Sequence, residues 1–279
     1  MQIVARAKIN LGLAVLGRRA DGFHAVDMVM QTISTGDLLT IEPAETISVD
    51  VSRPDLPGGP ENLAYRAAAL LQKVSGFRQG ARIYIEKRIP LAAGLAGGSA
   101  DAAAVLKGLN QLWGLGLSPG ELMELGSALG SDVPFCLVGG TARARGRGEL
   151  IEPLPPLAGR GVVLVKPAFG VSTPRVYHFY DQLPPRPPAG IEPLVVALEQ
   201  EDWSGLCAAL VNDLERATLA LHPEIAEIKE AMLRAGAPGV LMSGSGPTVF
   251  GLCADRDAAR RVAEKLDLPG CWVDVAVTV

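Results

Sequence analysis

Between positions 90 and 101 the chain reads Pro90-Leu91-Ala92-Ala93-Gly94-Leu95-Ala96-Gly97-Gly98-Ser99-Ala100-Asp101, and no other stretch limits the fold so tightly. A β-compatible run, Ala81 to Ile85, precedes it, and an Ala-rich helical run, Ala102 to Trp113, follows. Glycines bring the backbone close to a ligand with N–H groups turned inward, and a helix N-terminus adds partial positive charge. Strand, glycines and helix in this order therefore make a phosphate cradle. It is neither a P-loop, since no Gly-Lys-Ser/Thr closes it, nor a dinucleotide fingerprint, since the GxGxxG spacing is absent. Alone, it fits equally a turn that lets a helix pack close.

Around this loop the pattern is mixed. Ile3 to Leu16, Ala25 to Ile33 and Leu38 to Val51 read as strands, with Arg18 to Gly22 as a turn and Arg53 to Pro60 as a loop. Asn62 to Val74 has helical apolar spacing, and Ser118-Pro119-Gly120-Glu121 is a capping box that starts a helix ended by Gly130. The Pro-dense stretch Pro153 to Pro156 leads to the strand Val162 to Val165, which places a domain boundary near Gly159 and gives domains 1–158 and 159–279. Helices are expected over Ile191 to Gln200, Gly205 to Leu219 and Pro223 to Ala235. Strands are expected at Val240 to Met242, Thr248 to Cys253 and Cys271 to Val277. The class is α+β.

Composition removes several functions. A net charge of -4 over 279 residues, with no long Lys/Arg run, argues against nucleic acid as partner. Arg143, Arg145 and Arg147 read as solvated loop charge. Four scattered cysteines, Cys136, Cys207, Cys253 and Cys271, form no CxxC pair and read as reduced, mostly buried thiols. No apolar run reaches a membrane span without Gly, Pro or charge, so a cytoplasmic protein with no membrane partner is expected.

Three further motifs carry candidate chemistry. Met242 to Thr248, with Gly244 and Ser245, is a glycine–serine turn suited either to phosphate or to a tight hairpin. Gly130-Ser131-Asp132-Val133-Pro134-Phe135 sets an acidic residue after a helix end, where it suits either proton abstraction or capping. In Ala7-Lys8-Ile9-Asn10-Leu11, Lys8 and Asn10 fall on one face of a strand.

Taken in order, Ala7 to Leu11, Arg19-Ala20-Asp21-Gly22-Phe23-His24, Pro90 to Asp101, Gly130 to Phe135 and Met242 to Thr248 resemble the GHMP kinases along nearly the whole chain. Ala92, Ala93 and Ala96 make the loop poorer in glycine than the general pattern of that family. The resemblance implies a two-domain fold: an N-terminal ribosomal-protein-S5-domain-2-like α/β domain, a C-terminal ferredoxin-like α/β domain, and the active site in the cleft. It implies ATP with Mg²⁺, with Pro90, Leu91, Ala92, Ala93, Gly94, Leu95, Ala96, Gly97, Gly98, Ser99 and Ala100 as the ATP loop and Asn62 bordering the base. No metal cage stands out, and Ser99 and Asp101 are only candidate contacts.

The resemblance further implies Asp132 as the base and Lys8 as its electrostatic partner. The acceptor would be the 2-hydroxyl of a cytidine-diphosphate-linked methylerythritol, held by Asn10, Phe23, His24, Thr173, Tyr177, Gly244 and Ser245. Phe23 and Tyr177 are expected to stack on the cytosine, with Tyr180 the other choice for the second ring. Phe stands at 23 where Tyr is frequent in the family. A monomer or weak homodimer is expected. The alternatives are a homoserine- or mevalonate-type kinase, or a non-catalytic ligand-binding protein of the same fold.

Overall fold

The computed structural model describes residues 1–279. The chain divides into two compact units: Met1–Ala7, Thr35–Ile89 and Ala96–Gly139 form the first, and Lys8–Ser34, Pro90–Leu95 and Gly140–Val279 the second. Two long strands, β1 (Gln2–Arg18) and β2 (His24–Ala44), contribute residues to both.

In the first unit, β3 (Ser48–Val51) runs parallel to β4 (Gly80–Glu86), and β4 runs antiparallel to the end of β2, with Leu38 opposite Glu86. Four helices pack with these strands: α1 (Leu63–Ser75), α2 (Gly97–Leu112), α3 (Pro119–Leu129) and α4 (Val133–Val138). α1 starts where Asn62 accepts the Ala64 N–H and stops at Gly76 in the left-handed conformation. Ile41, Leu71, Ile83, Ile85, Leu106 and Leu109 are fully buried in one cluster, and burying each such side chain contributes about 1.5–3 kcal/mol. α2 lies close on the strands: a Cβ on Gly108 would come within 2.6 Å of the Ile41 Cδ1.

In the second unit, β5 (Thr141–Gly146) pairs antiparallel with the beginning of β2, and β6 (Leu150–Pro153) with β5. The chain continues through β7 (Gly161–Lys166), α5 (Thr173–Tyr180), α6 (Glu192–Glu199), α7 (Trp203–Ala208), β8 (Val211–Asn212), α8 (Glu215–Leu221) and α9 (Glu224–Ala235). It ends with β9 (Gly239–Met242), β10 (Val249–Cys253), α10 (Arg256–Ala263) and β11 (Trp272–Val277). A four-stranded antiparallel sheet has the order β11-β7-β10-β9. Val163 and Val165 of β7 and Val249 of β10 share a core with Ile225, Ile228 and Met232 of α9.

Several elements depart from the sequence expectation. The two strands expected at 25–33 and 38–51 are one strand to Ala44 and then β3; Gly36 does not break β2, because it lies against β1, where a Cβ would sit 2.8 Å from the Ala5 carbonyl oxygen. The helix expected over 205–219 is α7, β8 and α8, since Asn212 turns inward and donates to the carbonyls of Met242 and Gly244, both at 2.8 Å. The arginines read as loop charge are instead on and beside β5: Arg143 pairs with Asp27 at 2.7 Å and with Glu192, between buried Ala142 and Ala144. Of the four free cysteines only Cys253 is buried; the others are half-buried. α4, α5 and α10 were not anticipated.

Candidate active site

The loop belongs partly to each unit. Its first half, Pro90–Leu95, lies in the second unit, packed on the glycine–serine turn. The Ser243 hydroxyl donates to the Gly94 carbonyl at 3.0 Å, and a Cβ on Gly94 (φ 75°) would fall 2.3 Å from the Ser243 carbonyl oxygen. Only glycine fits there. Lys8 belongs to this assembly: its N–H donates to the Leu95 carbonyl at 3.1 Å, and its ammonium to Asn10 Oδ1 at 2.6 Å. Asn10 is fully buried and its N–H meets the Ser243 hydroxyl at 3.3 Å, so Asn10 holds the lysine in place instead of facing solvent.

The turn from Met242 to Thr248 joins the antiparallel β9 and β10, as a hairpin would, and is itself propped from below. Asn212 holds the Met242 and Gly244 carbonyls, and Thr218 donates to the Ser245 carbonyl at 3.1 Å. The hydroxyls of Thr173 and Ser245 are 2.7 Å apart. Two expected substrate residues from distant parts of the chain thus meet on one ledge.

The second half of the loop, from Ala96, lies in the first unit and runs directly into α2. The helix starts at Gly97, not at Ala102, so Gly97, Gly98 and Ser99 form its first turn and their N–H groups lack intrahelical acceptors. Ala92 and Ala96 take positive φ (48° and 58°), the conformation that glycine adopts without strain. These are two of the three alanines, with Ala93, that make the loop poorer in glycine than the family pattern, so the backbone keeps a glycine-type path without glycine.

Asp132, also in the first unit, occupies the N-cap position of α4 but makes no capping hydrogen bond with its side chain. Its backbone carbonyl accepts from Cys136 at 3.1 Å. Asn62 uses its side chain locally: Oδ1 caps α1 at 2.9 Å, and Nδ2 donates to the Pro57 carbonyl at 2.8 Å.

Around Phe23 and His24 the second unit gives Tyr177 a ring neighbour of its own. Tyr177 on α5 stacks on His24, with ring centroids 4.7 Å apart, while Phe23 is 53% exposed under the Arg147 guanidinium at 5.1 Å. His24 Nε2 lies 2.7 Å from the Asp181 carboxylate at the end of α5. A turn closed by the Arg19 N–H to the Phe23 carbonyl, at 2.8 Å, presents both rings.

Sequence reasoning missed Asp37 and Lys87. Lys87 forms ion pairs with Asp37 and, at 2.7 Å, with Asp101. The two carboxylates together raise the lysine's pKa even though burial pulls it down. The available signal was an acidic residue inside the apolar run of β2.

The GHMP kinases N terminal domain matches residues 62–140, and the GHMP kinases C terminal matches residues 194–270. The chain belongs to the GHMP kinases. Its fold is the two-domain fold of that family. This GHMP kinase is 55% identical over 94% of its length to the 4-diphosphocytidyl-2-C-methyl-D-erythritol kinase of Pelotomaculum thermopropionicum, covering 92% of that protein. It is 52% identical to the enzyme of the same name from Moorella thermoacetica, over 95% of this chain and 94% of that one. A crystal structure of 4-(cytidine 5'-diphospho)-2C-methyl-D-erythritol kinase superposes with a TM-score of 0.81 at 40% identity, covering 99% of each chain.

Proposed function

We propose that this GHMP kinase transfers the γ-phosphoryl group of ATP to the 2-hydroxyl of 4-diphosphocytidyl-2-C-methyl-D-erythritol, in the non-mevalonate route to isoprenoid precursors. The observation that carries this reading is the 55% identity to a relative of that name over nearly the whole chain. Asp132 takes the proton of the acceptor hydroxyl from the N-cap position of α4. The Lys8 ammonium stabilises the alkoxide that develops, and Asn10 limits the directions it can point. The N–H groups of the first turn of α2 receive the nucleotide phosphates, and the loop from Pro90 to Ala100 follows the triphosphate. Phosphoryl transfer leaves the protein little covalent chemistry, so positioning and charge carry the rate.

Mg²⁺ suits this site as a companion of the nucleotide that neutralises phosphate charge. The half-buried Ser99 hydroxyl on the first turn of α2 is the oxygen donor the chain offers it, while Asp101 commits one oxygen to Lys87. Asn62 borders the adenine. Phe23, His24, Thr173, Tyr177, Gly244 and Ser245 serve the substrate, with the stacked rings of His24 and Tyr177 as a flat face for a nucleobase, and Asn10 serves it through the lysine that it holds. The family matches fall one within 1–158 and one within 159–279, the two domains assigned from sequence, while the compact units interleave across that boundary. The cytoplasm fits a kinase that uses ATP, and no helix is long and apolar enough to cross a membrane.

The deciding experiment incubates purified protein with ATP, Mg²⁺ and the diphosphocytidyl substrate, with homoserine and mevalonate as parallel acceptors. ADP release confined to the diphosphocytidyl substrate and competed by CDP supports the reading. Release at background with it, or turnover of homoserine or mevalonate instead, sinks it.

A further inference from the structure

Asp37 lies in β2, fully buried, and touches no part of the chemistry described above. One carboxylate oxygen accepts the N–H groups of Arg88 and Ile89, at 2.6 and 2.8 Å. The other meets the Lys87 ammonium. These three residues are the last before the loop begins at Pro90. Lys87 then reaches Asp101 on α2 at 2.7 Å, one helical turn beyond Gly97. A Cβ on Gly97 would lie 3.1 Å from the Ile89 Cγ2 and 3.5 Å from the Lys87 ammonium, so the first residue of the helix is packed directly against the residues that lead into the loop. Asp101 Oδ1 is buried without a hydrogen-bond partner.

A cluster of this composition is a poor device for stability. Two carboxylates share one ammonium in the interior, one oxygen is unsatisfied, and burying such groups costs much of what their attraction returns. What the cluster does supply is geometry: a single aspartate fixes the chain before the loop and, through one lysine, the helix after it. The residues between them, Pro90 to Ala96, would otherwise have wide conformational freedom.

We propose that Asp37 is a positioning residue for ATP, acting through Lys87 and Asp101 to hold the segment 87–89 against the first turn of α2, so that the N–H groups of Gly97, Gly98 and Ser99 form a preformed set for the nucleotide phosphates. This rests on reading the loop as the phosphate site, and failure of that reading shows separately, as wild-type protein that does not bind ATP in a calorimetric titration.

The test compares Asp37→Ala, Asp37→Asn and Asp101→Ala with wild type in KM for ATP, KM for the alcohol substrate, and kcat, all on protein whose melting curve shows the folded state. Asp37→Ala is expected to raise KM for ATP by about tenfold or more with little change in KM for the alcohol, because only the phosphate cradle loses its preformed shape. Asp37→Asn keeps an oxygen for the two backbone N–H groups and should recover most of the loss. Asp101→Ala severs only the tie to the helix and should raise KM for ATP on its own, which keeps the test decisive if Asp37→Ala does not fold. Folded variants with wild-type KM for ATP, or with both KM values and kcat moving together, overturn the proposal.

Discussion

Ser243 and Gly94 meet backbone to backbone, with the serine hydroxyl on the glycine carbonyl at 3.0 Å and no room for a Cβ on the glycine. Gly94→Ala must therefore displace one of the two turns. A displacement of about 1 Å in a catalytic loop can cost on the order of 100-fold in kcat/KM, and steady-state kinetics should show a loss of that order. Ala96→Gly makes the contrast. Relief of left-handed strain, about 1–2 kcal/mol, is partly offset by about 0.4–1 kcal/mol of added unfolded-chain entropy. Stability by urea denaturation should hold or rise slightly, with activity retained.

Asp132→Ala should lower kcat by about 100- to 10,000-fold while Kd for ATP, read by calorimetry, stays near wild type. Full activity in the variant would remove Asp132 as the base.

Burial pushes the Asp101 carboxyl up from 3.8 to about 7, with Lys87 opposing the rise and Asp37 adding to it. A raised pKa means that the folded state holds a proton the unfolded chain has already released. This group's contribution to stability is present in full below about pH 4 and falls as pH rises to about 7. Relative to Asp101→Asn, wild type should lose unfolding free energy across that window and hold steady above it, as measured by urea titrations at a series of pH values. A difference that is flat, or of opposite sign, contradicts the raised value.

The Ser118 and Glu121 side chains each accept an N–H from the other's backbone at the start of α3. Ser118→Ala should cost about 0.5–2 kcal/mol in unfolding free energy and leave KM and kcat unchanged.

That capping box was legible because everything that makes it lies within four residues, and the glycine loop because its residues are contiguous, although its helix begins at Gly97 and not at Ala102. Asp37 and Lys87 are 50 residues apart, and neither carries a local signature that names the other. Arg143 was misread for a related cause: its alternation with Ala142 and Ala144 is a strand pattern, but the paired Asp27 that makes it structural comes 116 residues earlier. The spacing put Asn10 on one face with Lys8, and the family resemblance implied a substrate contact. Only the fold reveals that its oxygen is already taken by that lysine. The stack of His24 on Tyr177 was likewise not legible, because the two rings lie far apart in the chain.

The bond between Asn10 and Ser243 spans 233 positions of chain. On a ribosome adding about 5–20 residues per second, Lys8 and Asn10 wait on the order of 10–50 s for the turn that seats them. The first unit contains no residue beyond Gly139, whereas the second is incomplete until β9 and β10 have emerged. Until then the Asn10 N–H lacks the serine hydroxyl that it meets in the finished fold.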